Sequence, residues 1–309
     1  MFPEAIFLFL LLIQTALLNE ATNETFVVVS TTERLSPQDT GELNNRVKSL
    51  ESQVALIQKI LDAHNLDLAN LKKLPHKLEN KLQQTEAPAT QSLPRHCKEV
   101  QKRGYNQSDV YFIQPRTAPE PFLVHCDMET KGGGWTYVLN RFDGSQTFGL
   151  DWDNYKRGFG LLDGEFWLGL DYIHYLTGSE INELLVELVD WDSKKVYALY
   201  SSFSIGNEQE GYLLKLLRGY SGNAGDSLSY HLGMKFSTKD RDHDVWSGNC
   251  AAYSPAAWWY KDCDKGQLTG RYLGSKVGTG DSSKGIYWDT FHTGSYSLKE
   301  ARMLVRPAV

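Results

Sequence analysis

The sequence predicts an α+β protein in which a coiled coil leads into one globular domain. That domain would have a central, mainly antiparallel sheet and a loop-rich subdomain able to hold a cation and a ligand. Three observations carry this reading. A 3.5-residue apolar seam runs through the first third of the chain, and short alternating strand-like runs fill the rest. Within those runs lies an aspartate-rich loop, Asp242-His243-Asp244-Val245-Trp246-Ser247-Gly248, that leads directly into a tight Cys250–Cys263 interval.

The first residues, Phe2 to Leu18, are almost entirely apolar and run into the polar Asn19-Glu20-Ala21-Thr22. An apolar core of this length near the start reads as a secretory signal over residues 1–21, too short and too poorly flanked for a membrane anchor. No later stretch reaches spanning length, so the mature chain is expected outside the cell and not inserted in a membrane. Residues 22–40 are rich in Thr, Ser, Asn and Glu and read as a flexible linker.

Over 41–84 the apolar positions Leu43, Val47, Leu50, Val54, Ile57, Leu61, His64, Leu68 and Leu71 recur in steps of four and three. That spacing keeps one stripe facing a partner helix, the signature of a coiled coil and hence of a homo-oligomer. The alternative is a single amphipathic helix laid on the globular domain. Pro75 removes a helix hydrogen bond at a seam position, so a kink or break is expected before Leu78 and Leu82 resume the pattern. Residues 85–95 carry two prolines and read as a second linker.

From 96 to 309 the periodicity changes. Val110–Ile113, Phe122–Val124, Trp135–Leu139, Leu184–Val189, Val196–Tyr200 and Leu213–Leu217 are β-branched and aromatic runs bounded by Gly-, Asp- and Ser-rich turns. The clearest helix lies near Ile173 to Tyr175. With 41% hydrophobic residues the chain can bury a substantial core.

Four cysteines, Cys97, Cys126, Cys250 and Cys263, are an even count in an exported chain and suggest two disulfides. Three connectivities are possible; sequence-local closure favours Cys97–Cys126 and Cys250–Cys263, each worth about 3 kcal/mol of unfolded-state entropy. Asn23 and Asn106 begin glycosylation sequons. The net charge of −6, with acid and base interspersed, argues against a nucleic-acid partner, which requires a concentrated basic face.

Aspartates at alternate positions of a loop can turn their carboxylates onto one hard cation, with downstream carbonyls completing an oxygen shell. Asp242 and Asp244 are the candidate side-chain ligands and Trp246 and Gly248 the candidate carbonyl ligands for Ca2+. The competing reading is a solvated acidic turn, since carboxylates favour turns in any case. No nucleophile elbow, phosphate-binding glycine loop or His-x-x-x-His pair is found, so no enzyme is expected.

The chain from Cys97 to Pro307 resembles the fibrinogen C-terminal domain, a module shared by fibrinogen chains, ficolins, tachylectin-type lectins and angiopoietins. The motifs that carry the likeness include Gly133-Gly134-Trp135-Thr136, Trp152-Asp153-Asn154-Tyr155-Lys156-Arg157-Gly158 and Gly164-Glu165-Phe166-Trp167-Leu168-Gly169. Gly233-Met234-Lys235-Phe236-Ser237-Thr238, Ala257-Trp258-Trp259-Tyr260 and Leu268-Thr269-Gly270-Arg271-Tyr272 extend it in order. The resemblance implies the same two local disulfides and a mainly structural calcium site on Asp242, Asp244, Trp246 and Gly248, with Asp240 and His243 outside it. It also implies a cis peptide between Asp262 and Cys263.

The resemblance further implies a ligand pocket, and here the chain departs from the acetyl-recognising members. Ser254 stands where an aromatic is used, Asp264 where a histidine follows the second cysteine, and Ser282 and Ser283 where a Tyr-Ala pair is used. The candidate pocket is therefore Ser254, Tyr260, Asp262, Cys263, Asp264, Ser282, Ser283 and Tyr287, with Tyr260 and Tyr287 as the aromatics expected to face a ligand. An acetyl methyl needs an apolar cup and its carbonyl a donor, which three serines and a carboxylate do not supply. Two functions follow as expectations. The first is a calcium-stabilised recognition protein of innate-defence type that binds glycans or microbial surface ligands, clustered by its coiled coil. The alternative is an angiopoietin-like secreted ligand of a cell-surface protein receptor.

Overall fold

The computed structural model describes residues 92–275, 285–293 and 296–308. The signal segment, the linker over 22–40, the coiled coil, Asn23, Ser282 and Ser283 all lie outside the described residues.

The centre of the domain is an antiparallel sheet. Its strands are β1 (Asp109–Ile113), β2 (Phe122–Asp127), β3 (Trp135–Arg141), β4 (Phe159–Gly160), β5 (Phe166–Trp167), β6 (Asn182–Val189), β7 (Lys195–Ile205), β8 (Leu214–Gly222) and β11 (Glu300–Pro307). Seven of them lie side by side in the order β1-β2-β3-β11-β6-β7-β8, with β5 paired to β3 and β4 to β5. Two short strands, β9 (Gly266–Gln267) and β10 (Tyr287–Trp288), form a separate ladder in the loop-rich part. Each strand-like run named from the sequence coincides with one of these strands, apart from Leu213, which precedes β8, and the Ile173–Tyr175 helix runs from Leu170 to Thr177.

The last sheet strand in the chain, β11, sits in the middle of the sheet, paired along its whole length with β6 and on its other side with β3. Alternation explains the placement. Ala301, Met303 and Val305 face the core, while Glu300, Arg302 and Arg306 lie half-buried on the opposite face. There Arg302 stands opposite Glu187, and Arg306 Nε pairs with Glu183 at 2.8 Å.

Short helices missed in the sequence are held by caps rather than by periodicity. Asp151 caps Trp152–Arg157 by accepting Asn154 N–H, and Asn249 caps Cys250–Tyr253 through Ala252 N–H at 2.8 Å. The helix Cys97–Lys102 carries one end of the Cys97–Cys126 disulfide, which ties it to β2.

The core is aromatic. Trp135, Trp152, Trp167, Trp258, Trp259 and Trp288 are all fully buried, and each contributes on the order of 2–3 kcal/mol through the area it removes from water. A buried ion pair joins sheet to loops. Arg141 Nε lies 3.6 Å from Glu165, and its Nη1 donates to the carbonyls of Leu268 (3.1 Å) and Gly270 (2.7 Å). Glu165 Oε1 also accepts the N–H groups of Phe142 (2.6 Å) and Asp143 (3.0 Å). Burial lowers the Arg141 pKa to about 10, with Glu165 opposing the shift.

Candidate functional site: the aspartate loop and the disulfide wall

The aspartate loop begins where the chain leaves the core at Phe236. A tight turn between Thr238 and Arg241 is closed by two backbone hydrogen bonds of 2.9 and 3.0 Å. Asp240 is used inside that turn: its Oδ1 accepts Thr238 Oγ1–H at 2.8 Å and Trp152 N–H at 3.0 Å. His243 is turned inward, its Nδ1 2.7 Å from the Phe236 carbonyl and its ring edge-on to Trp152. Both groups are thereby committed to the protein.

Asp242 and Asp244 remain on the open side. Asp242 Oδ1 accepts Asp244 N–H at 3.1 Å, and Asp244 accepts Trp246 N–H on Oδ1 and Cys250 N–H on Oδ2, each at 2.9 Å. These bonds fix the carboxylates but leave lone pairs on each. Partial burial raises the Asp244 pKa, and the neighbouring Asp242 carboxylate pushes the same way against the two N–H donors. The carbonyls of Trp246 and Gly248 accept no hydrogen bond from the described residues. Two carboxylates and two unoccupied carbonyls within seven residues fit a hard cation that takes oxygen ligands and completes its shell with water.

The position of Gly248 has a local reason that the ligand pattern did not supply. A Cβ there would lie 2.6 Å from the Trp246 indole, so a larger residue would displace that ring. Tyr253, exposed at 58%, stands edge-on to Trp246 with ring centroids 6.1 Å apart, and Val245 beside it is 63% exposed. Sequence reading passed over Tyr253 because it sits one residue before the pocket position Ser254. The signal was its place on the turn of helix just after Cys250.

The second wall is the stretch after Trp259. The Asp262–Cys263 peptide is cis, and the Cys250–Cys263 disulfide is formed. Lys261 N–H donates to the Cys263 carbonyl at 2.7 Å, and Val245 N–H donates to the Lys261 carbonyl at 3.1 Å, which locks this wall to the aspartate loop. The Asp262 carbonyl accepts the Tyr230 hydroxyl at 3.0 Å, while its side chain is exposed.

Behind the wall sits His231, fully buried. Its Nδ1 lies 2.8 Å from the Trp259 carbonyl and its Nε2 3.3 Å from Lys265 N–H. A carbonyl can only accept and an N–H can only donate, so the ring is the neutral Nδ1–H tautomer. Burial lowers its pKa to about 4. Asp264 is half-buried and has no hydrogen-bond partner among the described residues. Burial, then the Asp289 charge, raises its pKa to about 7, against a smaller opposing effect of Lys265.

The aromatics expected to face a ligand do not. Tyr260 is fully buried, with its hydroxyl donated to Gln267 Oε1, and Tyr287 is 6% exposed in β10 opposite Gln267. Trp258 and Trp259 are buried as well. The physical reason is the β9–β10 ladder, which packs both tyrosines inward as core. Ser254 is also buried. Of the candidate pocket positions described, Asp262, Cys263 and Asp264 reach the surface, and Asn106 is exposed after the first helix.

The domain thus combines an antiparallel sheet whose last strand lies at its centre, two local disulfides, and an aspartate loop bonded to the Cys250–Cys263 wall. Residues 93–308 match the family model described as fibrinogen beta and gamma chains, C-terminal globular domain, and the chain belongs to that family. It is 42% identical to human angiopoietin-related protein 2 over 242 residues, covering 77% of this chain and 49% of that protein. It is 45% identical to human fibrinogen C domain-containing protein 1 over 243 residues, covering 74% and 52%. The chain thus spans about half the length of these curated relatives. Among solved structures, the fibrinogen-like globe domain of human ANGPTL2 superposes with a TM-score of 0.68 at 42% identity, covering 70% of this chain and all of that one. A lamprey fibrin D-dimer in complex with a Gly-His-Arg-Pro-amide peptide gives a TM-score of 0.66 at 32% identity, covering 87% and 94%.

Proposed function

We propose that this chain is a secreted, angiopoietin-like ligand of a cell-surface protein receptor, and that it engages the receptor through the exposed patch of Val245, Trp246 and Tyr253. One observation carries the reading: the pocket aromatics are buried as core, while a Trp–Tyr pair stands exposed on the neighbouring loop. Trp and Tyr in a small apolar patch are what protein interfaces use as anchors. A sugar-binding pocket would instead keep aromatic faces open to stack on its ligand. The similarity to angiopoietin-related proteins supports the same choice over the innate-defence reading. Among the described residues no helix is long and apolar enough to cross a membrane, and the apolar start of the chain supports export.

Ca2+ on Asp242, Asp244 and the carbonyls of Trp246 and Gly248 would set the shape of this patch, because Trp246 would itself supply one of the carbonyl ligands. Clustering through the coiled coil over 41–84 would multiply weak single contacts by raising effective concentration. The test is binding of the secreted full chain to receptor-bearing cells, with Trp246→Ala and Tyr253→Ala beside wild type. Loss of cell binding with both variants supports the reading. Unchanged binding by both, or calcium-dependent binding of the wild type to a neutral glycan in place of a protein, overturns it.

A further inference from the structure

Away from the aspartate loop, a cleft of about 470 Å3 opens where the chain enters the domain, lined by Ser92, Leu93, Arg95, Glu99, Lys102, Arg103 and Arg116. Four basic side chains share it with one carboxylate. That carboxylate is already engaged: Glu99 accepts Arg95 N–H at 2.7 Å and Arg95 Nε–H at 2.5 Å. Lys102, Arg103 and Arg116 are exposed and form no ion pair with a described residue. Glu99, Lys102 and Arg103 fall on one helical stripe by their spacing of three and four. Lys98, one turn before Lys102, adds to the field, and Arg306 and Lys102 are among the like charges beside it.

The cleft is held in shape before any ligand arrives. Gln114 N–H donates to the Pro94 carbonyl at 2.8 Å, fixing the entering strand against the segment that carries Arg116. The turn bearing Arg116 is closed by Ala118 N–H to the Pro115 carbonyl at 3.0 Å and anchored by Thr117 Oγ1 to the Tyr175 carbonyl at 3.3 Å. The disulfide fixes the helix that carries Lys102 and leads into Arg103. On a chain with a net charge of −6, three unpaired cations converging on one concave site are a local exception.

We propose that this cleft binds a sulfated polysaccharide chain. Guanidinium groups match the tetrahedral oxygens of sulfate through paired N–H donors, and an ammonium group adds a point charge. The site is an open, shallow cleft with its cations at the surface, which suits a thin flexible polyanion that can lie along it. The choice of a sulfated sugar over a nucleic acid rests on the export proposed above. Its site is separate from Val245, Trp246 and Tyr253, so this domain would hold to extracellular matrix through one face and leave the other for its receptor.

The test uses the secreted full chain on immobilised heparin, eluted with salt, beside Lys102→Ser/Arg103→Ser/Arg116→Ser and a control triple, Lys194→Ser/Lys195→Ser/Arg218→Ser, of equal charge change elsewhere on the domain. Circular dichroism and thermal melting confirm that both triples are folded. The expected result is at least tenfold weaker heparin binding for the cleft triple alone near 0.15 M salt. Its log affinity–log salt slope should also be shallower by about two to three, because each ion pair with a polyanion releases bound counterions. Equal losses in both triples would reduce the effect to net charge and overturn the site. So would no retention of wild type above physiological salt, or equal binding to unsulfated hyaluronan. Trp246→Ala leaves heparin retention unchanged, so failure of the receptor reading and failure of this one are told apart.

Discussion

Asp244 accepts the backbone N–H of Cys250 at 2.9 Å, so the carboxylate that ends the Asp-His-Asp run also positions the first cysteine of the Cys250–Cys263 disulfide. A cation held by Asp244 would therefore act on the wall as well as on the loop. Added Ca2+ should raise the thermal midpoint and a chelator should lower it. At a hundredfold excess over the dissociation constant the stabilisation is about 2.7 kcal/mol. Asp242→Ala and Asp244→Ala should each abolish the response, and identical melting curves in calcium and chelator would sink the assignment.

Asp264 gives a pH signature of opposite sign to the usual carboxylate. Its pKa is about 7 in the folded chain against an ordinary 3.8. Between these values the folded state holds more protons than the unfolded one, so stability falls as pH rises through that window. Asp264→Asn should stabilise the domain by about 4 kcal/mol at pH 8 and leave it nearly unchanged near pH 4, measured by urea unfolding. A destabilised variant at pH 8 would show that the carboxylate has a partner in solution.

His231 works the other way. Its folded pKa of about 4 lies below the ordinary 6.5, so the unfolded chain takes up the proton first. The stability it supports is complete above 6.5 and is lost as pH falls toward 4. In the wild type the two groups oppose each other over that range. In Asp264→Asn the histidine's fall should stand uncovered as a steeper acid limb of the midpoint–pH curve. A limb no steeper than wild type would remove His231 as its source.

Breaking the buried Arg141–Glu165 pair should be costly. Glu165→Gln leaves a buried guanidinium without its counter-charge and weakens acceptance of the Phe142 and Asp143 N–H groups. A loss of about 3–5 kcal/mol is expected from chemical denaturation. The double variant Arg141→Met/Glu165→Gln should recover part of it, and a loss in Glu165→Gln below about 1 kcal/mol would mean that water reaches the pair.

How much of this was legible in the sequence depends on the range of the interaction. Strand runs such as Leu184–Val189 announce themselves because every second side chain faces the core, and that rule is local. The aspartate pair is a local feature in the same way, its two carboxylates two positions apart in one loop. Tyr260 and Tyr287 were misplaced because their burial depends on the β9–β10 pairing of residues twenty apart, which no local pattern states. The basic cleft was invisible, since Lys102 and Arg116 meet only after β1 has formed and Gln114 has bonded to Pro94. Interspersed charges along the chain had pointed away from any basic face.

The central position of β11 has a consequence for how the domain is made. During translation β3 and β6 emerge early, yet the strand that belongs between them is the last of the sheet to leave the ribosome. Until then two long hydrophobic edges wait unpaired, the condition in which nascent chains associate with each other. The sheet therefore closes only once β11 is available, and until then the β3 and β6 edges are open to pairing with another chain.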